Sequence, residues 1–122
     1  MGISRKLLEV SKLVEATELA ELITNLLGNK IRLELIEIVA KEIGYTRLAE
    51  LANSKAGSIK SSLNRGSIGD DLAFRIFKGL AQEKPHLLRF ALEKVLTKYG
   101  NMLDSILEKA REREKEVIVS SK

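Results

Sequence analysis

Apolar residues recur three and four positions apart along most of the chain, and helix-forming polar residues fill the gaps. Behind Ser4, a candidate N-cap, Leu7, Leu8, Val10, Leu13 and Val14 make a first apolar face. Leu19, Ala20, Ile23, Leu26 and Leu27 continue it, with Thr17 either capping a second segment or lying inside one long helix. Gly28-Asn29 is expected to close this stretch. Two periods then compete between Lys30 and Ile43. Ile31, Leu33 and Leu35 alternate with Arg32 and Glu34 as in a strand, whereas Leu35, Ile36, Val39, Ala40 and Ile43 follow a helix. The length, and the lack of a second strand to pair with, favour a helix ended by Gly44.

Shorter elements follow. Thr46 is expected to cap a segment reaching Ala52, and Asn53-Ser54 breaks it. A second short helix, Ala56 to Leu63, should end before Asn64-Arg65-Gly66. Ser67 with Asp70 three residues on reads as a capping pattern for a helix that buries Leu72, Ile76, Leu80 and Ala81, with Phe74 or Phe77 alongside. Pro85 starts a further helix with Leu87, Leu88, Phe90, Ala91, Val95 and Leu96 on its face. Gly100-Asn101 is expected to interrupt it, and Met102 to about Val117 to form a last helix striped by Leu103, Ile106, Leu107 and Ala110. These elements predict an all-α fold: a five- to seven-helix bundle in one domain of 122 residues with a central helix-turn-helix. Residues 1–29 would be an N-terminal extension, 30–82 the core, and 85–122 C-terminal helices suited to dimerisation.

Composition narrows the chemistry. The chain has no cysteine, which removes disulfides, thiolate metal sites and a Cys nucleophile. His86 is its one histidine and reads as a surface or capping residue. Asp70-Asp71 reads as helix capping, since an oxygen-ligand metal site needs more convergent carboxylates. Phe74, Phe77 and Phe90 read as core. No nucleophile–base pair, phosphate loop or metal cluster is evident, so no enzyme activity, cofactor or small-molecule substrate is expected. No apolar run approaches the roughly 20 residues of a membrane span, and the expected location is the cytoplasm. The formal charge of +4 is a modest basic excess. Its distribution says more: from Ala52 to Gly69 there are three basic residues and no acid.

That segment has the parts of a helix-turn-helix. Leu48-Ala49 offer an apolar and a small residue for the crossing, and Asn53 tolerates left-handed backbone in the turn. Ala56, Ile59 and Leu63 make an inward stripe on the second helix, opposite Gly57, Ser58, Lys60, Ser61 and Asn64. Thr46-Arg47-Leu48-Ala49-Glu50-Leu51-Ala52, then Ser58-Ile59-Lys60-Ser61-Ser62-Leu63-Asn64-Arg65-Gly66, then Leu72-Ala73-Phe74-Arg75-Ile76-Phe77-Lys78-Gly79-Leu80, resemble in order the lambda-repressor-like (Xre-type) helix-turn-helix family. The resemblance covers about residues 30–82. Four places depart from it. Asn53 stands where the family prefers Gly, Ser62 near where it often packs an aromatic or larger apolar residue, and Ser67-Ile68-Gly69 at a loop that usually holds Pro, while Lys55-Ala56-Gly57 is a weak helix start.

The resemblance implies sequence-specific binding of double-stranded DNA, as a transcriptional or plasmid/viral regulator, with the helix 56–63 in the major groove. It implies base contacts from Ser58, Lys60 and Ser61 with Lys55 flanking, and phosphate contacts from Thr46, Arg47, Asn64 and Arg65. A homodimer on a two-fold site is expected, with Ser4–Leu27 or Met102–Val117 as its element. Two other readings stand beside it: a helical protein-interaction and dimerisation module, and an accessory DNA-binding domain of a replication or recombination enzyme.

Overall fold

The structure is a computed structural model describing the backbone of residues 2–120 and the side chains of residues 14–119. The described residues form helices and short connections, without strands. Among them six helices follow one another: α1 Gly2–Leu26, α2 Asn29–Ile43, α3 Tyr45–Leu51, α4 Ala56–Arg65, α5 Asp70–Glu83 and α6 Pro85–Ser120. No described helix is long and apolar enough to cross a membrane. The chain divides into two units, Met1–Leu92 and Glu93–Lys122, and the division falls inside α6.

In the first unit the most extensive helix pairing is α1 along α5. Ala16, Ala20 and Ile23 of α1 are buried, as are Ala73, Ile76, Phe77 and Leu80 of α5. Small residues bring the two backbones close, and the larger ones fill the space around them. Leu35, Ile36, Val39 and Ala40 bury the helical stripe of α2, so the helical period and not the strand-like alternation describes Lys30–Ile43. Leu88 and Ala91 of the first turns of α6 complete this core. The tightest approach is at Gly79 of α5. A Cβ there would lie 2.8 Å from the carbonyl carbon of Leu51 at the end of α3. Only glycine lets α5 pass this close to α3.

Several boundaries differ from the sequence expectation. Helix α1 begins at Gly2, so Ser4 lies within it, and it runs through Thr17 unbroken. The side chains of Leu7, Leu8, Val10 and Leu13 lie outside the described residues. Val14, expected on the apolar face, is exposed. Gly28 does not close α1 but is the N-cap of α2, with extended backbone at φ −76° and ψ 172°. Arg32 closes α1 instead, its guanidinium donating to the carbonyl of Leu27 at 2.8 Å and to that of Thr24. A cation at a helix C-terminus meets both the unpaired carbonyls and the negative end of the dipole.

Thr46 is not a cap, because Gly44 at φ 83° turns the chain directly into α3 at Tyr45. Helix α4 continues past Leu63 through Asn64 and Arg65. The left-handed residue that ends it is Gly66 at φ 77°, where no Cβ opposes that conformation. Ser67 does not cap α5, whose N-cap is Gly69. The connection is held by Ile68, which is buried and donates its backbone N–H to the Asn29 Oδ1 at 3.3 Å. Asp70 ion-pairs with Arg32 at 2.8 Å. On α5, Leu72 and Ala81 are only half-buried.

Helix α6 runs through Gly100-Asn101 without interruption. One helical glycine costs about 1 kcal/mol, too little to break a helix with strong formers on both sides. On its face Phe90 and Leu96 are exposed and Leu87 is half-buried, so Phe90 is not core.

Candidate nucleic-acid interface

Helices α3 and α4 are short and joined by a connection that its hydrogen bonds define closely. Leu48 and Ala49 of α3 are buried, and so is Ala52 just beyond it. The backbone N–H groups of Ala52, Asn53 and Ser54 donate to the carbonyls of Leu48, Glu50 and Ala49 at 3.1, 3.1 and 2.9 Å. Asn53 is left-handed at φ 50°, the one non-glycine with positive φ among the described residues. Asn or Asp adopts this conformation more readily than other side chains, which explains why the position manages without Gly. Arg75 of α5 donates from Nη1 to the Asn53 carbonyl at 3.0 Å and pairs through Nε with Asp71 at 3.2 Å. The turn is therefore clamped from outside as well as within.

Helix α4 enters from Lys55 in extended backbone, with no acid in its first turn and no side-chain cap. Ile59 is fully buried and anchors it on the core. Ser62 is buried beside Ile59, and its hydroxyl donates to the Ser58 carbonyl at 3.0 Å. The small side chain thus packs inward with its polar group satisfied, near the place where the resembled family often packs a larger apolar residue. Ala56 and Leu63 flank this stripe and are half-buried.

The opposite side of α4 is open. Lys55, Gly57, Ser58, Lys60, Ser61, Asn64 and Arg65 are all exposed. Gly57, Ser61 and Asn64, spaced four and three, form the ridge of this face, with Ser58 and Arg65 on one side and Lys60 on the other. Lys55, Ser58, Ser61 and Arg65 line a shallow depression of about 680 Å³. Lys60 extends the other way, its Nζ 5.4 Å from the centre of the Tyr45 ring. Arg65 is steered along the following loop by Ser67, donating to its hydroxyl at 3.3 Å and its carbonyl at 3.5 Å. Six of the eight sequence-derived residues therefore share one helix and its N-cap, on one side.

The other two, Thr46 and Arg47, are exposed on α3. Arg47 is engaged by two carboxylates, Glu50 at 3.1 Å and Glu83 at 3.4 Å. Any phosphate would have to compete with them. The acid-free stretch is also not free of acids in space, because Asp71 of α5 lines the same depression as Lys55 and Arg65. Three nearby residues escaped the sequence argument. Asp71 and Arg75 are spaced as a helical ion pair, which was a legible signal, but Tyr45 under Lys60 depends on how α3 meets α4. Among the described residues no three His, Cys, Asp or Glu side chains come together to hold a metal.

Compared with known proteins, the chain matches no family model, no curated protein and no solved structure.

Proposed function

We propose that this protein binds double-stranded DNA in a sequence-specific way, with α3, the turn at Asn53 and α4 working as a helix-turn-helix of the lambda-repressor-like kind. Its role would be that of a transcriptional or plasmid/viral regulator. The observation that carries this reading is the outer face of α4. It is continuous and exposed, and it is made of glycine, hydroxyl, amide and basic side chains with no acid on the helix. A helix about 15 Å long and 10–12 Å wide fits a B-form major groove about 12 Å wide. Gly57 and the serines allow close approach, while Ser58, Lys60, Ser61 and Asn64 can bond base edges. Lys55, Lys60 and Arg65 neutralise phosphates. The clamp of Arg75 on the turn supports the same reading, since a reading helix must be held in one orientation.

Changing Lys60 and Arg65 together to Glu tests it. Gel-shift binding of duplex DNA should be lost while the helical circular dichroism is unchanged, and unchanged binding would sink the assigned face. Three phosphate contacts per copy predict a slope of about −3 in log affinity against log salt. A flat salt response would point away from nucleic acid. A preference for single strands would favour the replication or recombination reading.

A second reading, a helical protein-interaction module with α3 and α4 as scaffold, draws on the exposed Met102, Leu103, Ile106 and Leu107 of α6. Failure of the chain to bind heparin would favour it.

A further inference from the structure

The part of α6 within Glu93–Lys122 carries exposed apolar residues in a regular pattern that the core formed by the described residues does not use. Leu96 is 73% exposed, Leu103 64%, Ile106 60% and Val117 51%, and Ala110 is exposed as well. With Tyr99 and Arg113 they form a row spaced alternately three and four: 96, 99, 103, 106, 110, 113, 117. This is the 3.5-residue period of a coiled-coil seam, narrower than the face of a helix packed on a globular core. It is kept over three heptads. The outward positions are polar throughout, among them Asn101, Asp104, Ser105, Glu108, Arg111 and Glu112.

We propose that a second copy of this chain covers the stripe, forming a parallel two-stranded coiled coil over residues 96–117. Leu96, Leu103, Ala110 and Val117 take the a positions, and Tyr99, Ile106 and Arg113 the d positions. The flanking charges select a second copy and its direction. In a parallel pair each g residue meets the e residue of the next heptad on the other helix. Lys109 is at g and Glu114 at e, so the two-fold axis makes two opposite-charge pairs. The earlier flanking residues, Val95, Gly100, Met102 and Leu107, are uncharged, and Met102 and Leu107 broaden the seam. Arg113 alone brings a charge to the row. Its Nη1 pairs with Glu116 at 3.3 Å, so the guanidinium is turned to the flank while its stem lines the seam. The seam does not depend on the DNA reading, although a two-fold dimer would also present two copies of α4 to two half-sites.

Sedimentation equilibrium of the full chain tests the proposal. The wild type should weigh about twice 13.6 kDa at micromolar concentration, and Leu103→Glu with Ile106→Glu should return it to one copy. A wild-type monomer, a mass of three or more copies, or a dimer that survives the double change would overturn it. Lys109→Glu sets two acids against each other and should raise the dimer dissociation constant roughly tenfold. Adding Glu114→Lys should restore it, and no restoration would overturn the parallel register. DNA binding separates the two ideas. Lys60→Glu with Arg65→Glu should keep the dimer mass, whereas Leu103→Glu with Ile106→Glu should keep a weaker, salt-dependent affinity for DNA.

Discussion

Replacing Gly79 by alanine puts the close approach of α5 to α3 to a quantitative test. The added Cβ would lie 2.8 Å from the Leu51 carbonyl carbon and 3.2 Å from its Cβ, and nearest of all to its oxygen. These are mostly backbone atoms at the end of α3, so no rotamer change relieves the contact. Overpacking of this kind costs about 1–3 kcal/mol, with the backbone partner arguing for the upper end. Alanine returns about 0.5–1 kcal/mol through helix propensity. The net expectation is a loss of about 2 kcal/mol. For a unit of this size that lowers the melting temperature by roughly 8–16 °C. Denaturant unfolding followed by far-UV circular dichroism would measure it. Gly57→Ala is the matched control, because it makes the same chemical change on α4 with nothing within 4 Å of the new methyl group. That variant should gain about 0.5–1 kcal/mol. If Gly79→Ala were as stable as the wild type, or if both variants fell together, the tight crossing of α3 and α5 would be refuted.

Arg32→Met should cost about 2–3 kcal/mol in the same unfolding assay. It removes the charged donor to the Thr24 and Leu27 carbonyls from a side chain only 12% exposed. Asp70→Asn, which removes only the exposed partner of that arginine, should cost under about 1 kcal/mol, and an equal loss in the two variants would contradict this division. Asn53→Ala should lose about 1 kcal/mol because alanine pays the full penalty of φ 50°, whereas Asn53→Gly should be neutral or slightly stabilising. Should the alanine variant melt with the wild type, the turn would not hold its left-handed residue in solution.

Much of the fold was legible because helices announce themselves locally. Periodicity located the inward Ile59 of α4 and the buried Ile76 and Leu80 of α5, length decided α2 between its two competing periods, and Pro85 marked the start of α6. It also marked the outer face of α4, since positions opposite a buried stripe are exposed in any helix of that register. Chain ends of helices were harder. Candidate caps at Ser4, Thr46 and Ser67 were each plausible by residue type, but a cap is used only where the incoming chain direction allows it. Gly44 and Gly66 took boundaries through their positive φ, and Gly69, in ordinary extended backbone, stands at the N-cap of α5 in place of Ser67.

What the sequence by itself determined is the helical class, the inward stripes of α2 and α4 and the residues on the open face of α4. The tertiary structure decided which distant groups meet. Arg32 finds the end of α1, Asn29 the loop before α5, Arg75 the turn at Asn53, and Asp71 the depression beside Lys55 and Arg65. It also decided that Gly79 is a contact point and that Arg47 is already held by two acids. The physical reason is the range of the interactions. Helical periodicity is set by neighbours three and four residues away, whereas hydrogen bonds and ion pairs between helices depend on how the helices cross, which no local pattern encodes.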